Sequence, residues 1–265
     1  MKIAIAIAAH PDDIEFGMAG TLLLLRKAGW EIHYLNISTG NCGSIEMSPA
    51  KTRTVRRKES KAAAKLLGAH WHAPFCDDLE IVYDSKSLRR LSAVIREVKP
   101  SIVLTHSPQD YMEDHTNTCR LAVTATFTHG MPNFLSTPQR PPFFHDVTIY
   151  HAMPHVLCDP LRRRLMPGAF VNTTTVHADK LMALAAHQSQ QGWLDVSQGM
   201  NSYLAAMEEM SRTLGNMSRK FKHAEGWRRH LHLGYSSAPV DPLGDALGRD
   251  FLINKTYEKN LIKGI

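Results

Sequence analysis

Two rhythms of apolar positions alternate along most of the chain. Unbroken apolar runs about one strand long predict buried parallel strands, and longer segments of mixed polarity predict helices. Ile3 to Ala9 is the first such run, built of Ile and Ala; Pro11 ends it, since proline cannot continue a ladder. Thr21-Leu22-Leu23-Leu24-Leu25 follows in a helical stretch. Glu31 to Ile37 predicts a second strand, Lys51 to Leu67 a helix stopped at Gly68, and His70 to Phe75 a third strand. Ser85 to Val98 predicts a helix closed by Pro100, Ser101 to Thr105 a short strand, and His115 to Phe127 a helix. Four prolines between Gly130 and Pro142 mark a loop at the sheet's edge or over a site. Asp146 to His151 and Gly168 to Thr173 predict later strands, and Ala178 to Gln190 and Ser202 to Arg212 helices. Beyond that, prolines and glycines hide the pattern. The alternation is that of βαβ units, so the expected architecture is α/β: a Rossmann-like, mostly parallel sheet flanked by helices. No linker divides the chain, and residues 1–265 are expected to form one domain.

Composition narrows this only slightly. With 265 residues and 43% apolar content the chain can bury a full core, and 21% charged residues exclude a disordered or coiled-coil chain. The net charge of +6 mildly favours anionic substrates, but the basic runs at Arg53–Lys58 and Arg162–Arg164 lack interleaved aromatics, so no nucleic-acid partner is expected. Cys42, Cys76, Cys119 and Cys158 have no CxxC spacing, which argues for a reducing, cytoplasmic setting. No signal-peptide pattern or membrane-length stretch is visible.

The chemistry-bearing residues gather where parallel strands end, the place at which open α/β sheets bind ligands. His10-Pro11-Asp12-Asp13 follows the first strand directly. In the plain reading Asp12 or Asp13 caps the next helix. In the functional reading His10 and Asp13 reach one metal and Asp12 acts on water. A second cluster, Asp110-Tyr111-Met112-Glu113-Asp114-His115, follows the fourth strand and can meet the first in space. His10, Asp13 and His115 then make two imidazoles and one carboxylate with open positions, the pattern of a hydrolytic zinc site. The first turn lacks the Gly-x-Gly-x-x-Gly spacing, so a dinucleotide enzyme is poorly supported.

At these residues the sequence resembles the PIG-L/LmbE-type zinc N-deacetylases. Ala9-His10-Pro11-Asp12-Asp13-x-Glu15 with Gly20-Thr21-Leu22 matches the family signature. Arg56-x-x-Glu59 before Leu67-Gly68, the Asp114-His115 pair, and Lys180 ahead of Ala186-His187-x-Ser189-Gln190 follow in order. The resemblance implies zinc-dependent removal of an acetyl group from an N-acetylglucosamine-type amino sugar, a small-molecule substrate, with hydrolysis of a linear amide C–N bond. It carries the zinc to His10, Asp13 and His115 and the general base to Asp12, with Asp114 orienting neighbouring groups.

The family pattern is broken at Met112, where many members carry a histidine supporting the oxyanion. Tyr111, Arg56 or His187 takes that role, or the metal acts alone. Asn41 stands where an Asp is frequent. Other candidates have plain alternatives: Arg56 as substrate ligand or as partner of Glu59, Glu15 as site lining or as a first-turn carboxylate favoured by the helix dipole, His187 as site residue or helix surface. His70-Trp71-His72 is a weak metal candidate, and His223-Ala224-Glu225-Gly226-Trp227 a segment that closes over the pocket. The competing functions are another metal-dependent hydrolase of esters or phosphoesters, and a sugar-binding protein that keeps the metal as an anchor. Homo-oligomers are common among such enzymes, and no membrane association is expected.

Overall fold

The computed structural model describes residues 2–190 and 203–263. One eight-stranded sheet runs through it in the order β3-β2-β1-β4-β5-β7-β6-β8. β1 (Ile3–Ala8), β2 (Glu31–Asn36), β3 (His70–His72), β4 (Ile102–Thr105) and β5 (Thr148–Ala152) are mutually parallel. β7 (Ala224–Arg229) lies antiparallel between β5 and β6 (Ala169–Asn172), and β8 (Phe251–Ile253) pairs antiparallel with the far side of β6. Helices α1 (Asp13–Gly17), α2 (Ala19–Lys27), α3 (Pro49–Leu67), α4 (Ser85–Val98), α5 (Glu113–Phe127), α6 (His177–Ala185), α7 (Tyr203–Ser218), α8 (Pro242–Leu247) and α9 (Lys255–Lys263) complete it.

The alternation within β1 decides which helices lie where. Ala4, Ala6 and Ala8 face one side and, being small, let α2 pack its Leu22 and Leu25 close to the sheet with Tyr34 and Trp227. Ile3, Ile5 and Ile7 face the other side and meet Leu91 and Ile95 of α4 and Leu121 of α5. All six β1 residues are buried, as a central parallel strand requires.

The mostly parallel α/β sheet is the expected one, and the elements through α5, apart from the short α1 that stands where the sequence predicts a turn, fall within a few residues of the sequence reading. Two further differences have local causes. The helix expected over Ala178–Gln190 ends at Ala185, because the chain turns at Ala186 and directs the His187 side chain inward against Glu15. The segment His223–Trp227 does not close over the pocket: most of it is β7, with Trp227 wholly buried. Ser202, the expected start of the next helix, lies outside the described residues.

β7 also fastens the two halves of the sheet. The Glu225 carboxylate accepts hydrogen bonds from Gly20 N (2.8 Å), Thr21 N (2.8 Å), Thr21 Oγ1 (2.6 Å) and Lys180 Nζ (2.8 Å). It thereby satisfies N–H groups in the first turn of α2, at the positive end of the helix dipole. Trp227 Nε1 donates to Thr21 Oγ1 at 3.0 Å. All four cysteines are free, and among the described residues no helix is long and apolar enough to cross a membrane.

Candidate metal centre and cleft

A cleft of about 340 Å³ opens at the carboxyl ends of the parallel strands, floored by His10, Asp12, Asp13 and His115. Its geometry starts from the backbone. After β1 the chain reverses at Asp12, whose φ of 107° and ψ of −27° are unusual for a residue with a Cβ. Such a conformation costs about 1–3 kcal/mol and persists where the surroundings over-determine it. Neither carboxylate caps α1: Asp12 makes no side-chain cap, and Asp13 Oδ2 accepts from His10 N at 2.7 Å.

Three donors converge. His10 Nε2 donates to Asp114 Oδ2 (2.9 Å), which leaves Nδ1 facing Asp13 Oδ2 at 3.4 Å. Asp114 is fixed by a second bond, from Leu79 N at 2.8 Å. His115 sets Nε2 3.3 Å from Asp13 Oδ1 and Nδ1 3.1 Å from Asp110 Oδ1. Neither contact of His115 has hydrogen-bond geometry, so both buried nitrogens lack a proper partner among the described residues. One ligand atom each from His10, Asp13 and His115 lie within 4.8 Å of one another. Imidazoles backed by carboxylates are the usual arrangement of metal-binding histidines.

The electrostatics suit a cation. Burial alone would lower the His10 pKa, but hydrogen bonds to Asp114 and Asp13 and the Asp13 charge raise it to about 9. Burial likewise opposes protonation of His115, yet the Asp13 charge and the contact with Asp110 push it up to about 10. Burial would raise Asp13, but the neighbouring His115 and the bond from His10 hold it well below the carboxylate range. The negative field that holds protons on both imidazoles is one a divalent ion would replace them in.

His106, Asp110 and His115 form an alternative grouping that shares His115. There the His106 Nε2 lone pair already accepts Ala9 N–H at 2.9 Å, and its ring stacks on His115 at 4.0 Å. With that lone pair engaged, His106 meets His115 through its ring face.

Arg56 comes from α3 and is almost wholly buried. Its Nη2 donates to Asp12 Oδ2 at 3.0 Å and to the Pro11 carbonyl, not to Glu59. Glu59 instead accepts from Ser189 N and Oγ. Room for the guanidinium depends on Gly40, at φ 75°, where a Cβ would sit 2.7 Å from Arg56 Cδ. Gly40→Ala is expected to displace Arg56 and lower stability by about 1–3 kcal/mol through strain and crowding; unfolding in urea checks it. Asn41 braces the same loop, its Oδ1 accepting from Asp78 N at 2.8 Å, while Asp78 accepts from Gly40 N and Cys42 N.

Of the remaining sequence candidates, Tyr111 and Met112 line the cleft, Tyr111 with half its surface exposed. Glu15 and His187 are fully buried behind Asp12 and face each other at 3.4 Å, outside the cleft lining. Glu15 also accepts from the Tyr34 hydroxyl at 3.2 Å. The His70-Trp71-His72 strand places His72 Nε2 2.9 Å from His33 Nδ1, an imidazole pair with Glu31 on its far side. Among the cleft residues not singled out from sequence are Tyr203 and His155. Tyr203 sits against Asp12, whose charge, after burial, raises its pKa well above the ordinary value. His155 faces Phe16 edge-on at the rim, and Gln190 lies near Gly43. Only the loop position of His155 offered a signal; Tyr203 lies in an ordinary amphipathic pattern.

Comparison with known proteins places these features in context. The family model PIG-L, described as GlcNAc-PI de-N-acetylase, matches residues 5–126. Diacetylchitobiose deacetylase of Thermococcus kodakarensis is 30% identical over 200 residues, 72% of this chain and 70% of that protein. 4-Oxalmesaconate hydratase of Pseudomonas putida is 29% identical over 201 residues, 72% of this chain and 74% of its own length. The solved structure of N,N'-diacetylchitobiose deacetylase from Pyrococcus horikoshii shares the fold with a TM-score of 0.71 at 24% identity, covering 91% of this chain and 88% of that one.

Proposed function

Since the chain belongs to the PIG-L family, we propose that it is a zinc-dependent N-deacetylase that removes an acetyl group from an amino-sugar substrate. The observation that carries this reading is the convergence of His10, Asp13 and His115 in an open cleft with the Asp12 carboxylate beside them. Two nitrogens and one oxygen fit zinc, and the unpartnered nitrogens of buried His115 fit a ligand to be completed by a metal. The deacetylase relative supports the amide as the scissile bond.

Zinc held there supplies Lewis acidity to the substrate carbonyl and acidifies water. The chain's own residues do the rest. Asp12 takes a proton from the attacking water and returns one to the leaving amine nitrogen as the C–N bond breaks, so acetate and a free amine result. Burial raises the Asp12 pKa against the lowering charge of Arg56, a balance that keeps the group able to exchange a proton. Arg56 acts through Asp12, holding the carboxylate in one orientation. Asp114 orients His10 through its hydrogen bond, and the Asp110 carboxylate stands beside His115. Met112 offers no donor to the developing oxyanion, and Tyr111 is the hydroxyl on that wall of the cleft.

The test is metal content of purified protein together with amine release from N-acetylglucosamine and its acetylated oligomers. One metal at this site, lost in Asp13→Ala, with amine release abolished by a chelator, is the expected result. A metal-loaded protein that frees no amine across the panel overturns the deacetylase reading. The hydratase relative then favours water addition across an electron-poor alkene acid, which NMR would show as a hydroxylated product.

A further inference from the structure

A second group of metal-type donors lies at the other end of α6 from the cleft. His177 is the first residue of α6, His223 immediately precedes β7, and Glu208 stands on α7. One donor atom from each lies within 4.8 Å of the others. The two rings stack face to face, with centroids 3.8 Å apart and an interplanar angle of 6°. Both nitrogens of His177 and Nδ1 of His223 are buried and have no hydrogen-bond partner among the described residues. Buried imidazole nitrogens are ordinarily paired, so three unpartnered atoms in one stack need a reason.

We propose that His177, His223 and Glu208 bind a second divalent metal ion of the zinc class, which clamps α7 to the junction of α6 and β7. Two imidazole nitrogens and a carboxylate oxygen are the ligand chemistry of zinc, with a fourth position left for water. Coordination tilts the rings out of their parallel stack so that both lone pairs point at one ion. The scaffold is preset: Thr173 N donates to the His223 carbonyl at 3.0 Å, and His223 N donates to Thr174 Oγ1 at 3.2 Å. The neutral imidazole is the form that ligates a metal. Burial and the neighbouring His223 push His177 down to about 4, and burial followed by the Lys222 charge lowers His223. The adjacent ammonium of Lys180 is taken up by Glu225 at 2.8 Å.

The clamp has a mechanical meaning for the cleft. α7 carries Tyr203, which stands against Asp12, and Met210, another lining residue. Glu208 sits between them on the same helix, so an ion there fixes the wall that both residues form.

Zinc binding by equilibrium dialysis on the full chain tests this, with the wild type, Asp13→Ala and the pair His177→Phe/Glu208→Gln compared. Two equivalents in the wild type, and one in each variant, is the expected pattern. A single equivalent that Asp13→Ala abolishes overturns the second site and leaves the cleft site standing. A single equivalent that survives Asp13→Ala but not the double substitution supports the second site and overturns the first. Should the double variant misfold by circular dichroism, cobalt(II) absorption of Asp13→Ala, with and without His223→Asn, reads the same question. A visible d–d band lost on His223→Asn supports the clamp, and no band, or one that persists, overturns it.

Discussion

Asp12→Asn is expected to lower kcat by about 10²- to 10⁴-fold, the usual contribution of a positioned acid–base group, while metal content stays at the wild-type value. The amide keeps the size of the carboxylate and an oxygen that still accepts from Arg56 Nη2. What it loses is the ability to take a proton from water. Side-by-side measurement of kcat and zinc content separates this role from ligation. If the metal leaves with the activity, Asp12 belongs to the coordination set; if kcat is unchanged, proton transfer runs through another group. The backbone agrees with a functional role for Asp12, since a φ of 107° in a residue with a Cβ is the kind of strain found at functional sites.

Glu225→Gln carries the largest expected loss of stability, about 3–5 kcal/mol, the range for breaking a buried ion pair from one side. Glu225 and Lys180 are both almost fully buried, and the carboxylate also serves Gly20 N, Thr21 N and Thr21 Oγ1. Glutamine would strand the ammonium, and its amide group would confront donors with a donor. Thermal unfolding should shift by on the order of 10 °C for a chain of this size. Adding Lys180→Met is expected to recover part of the loss, because it removes the stranded charge. A double variant no more stable than the single would locate the cost in the α2 terminus instead.

The parallel half of the sheet was legible because its elements are local: each strand is a short apolar run, and each helix follows with its own stop signal. The cluster His10, Asp12 and Asp13 was legible for the same reason, lying within four residues at a strand end. Asp114 and His115 could be joined to it only through the rule that parallel strands present their carboxyl ends on one side. Partnerships across the chain were hidden. Arg56 offered Glu59 as a neighbour three positions on, yet its carboxylate is Asp12, 44 positions away. β7 was hidden because Glu225, Arg228 and Arg229 make a run that does not look like a buried strand. Its glutamate is buried because Lys180 and the α2 terminus neutralise it, and such compensation leaves no local trace.

The position of β7 also bears on the order in which the molecule can assemble. The carboxylate that completes the first turn of α2 belongs to a residue 205 positions later, whereas His10, Asp13 and His115 are all contained in the first 115 residues. During synthesis the proposed ligand set is therefore finished long before the scaffold closes. Contacts of such sequence separation form late and slow the search for the native state. An ion captured by the early half would join its two βα turns while β7 is still to be made, and the emerging strand would then dock onto a half already tied together.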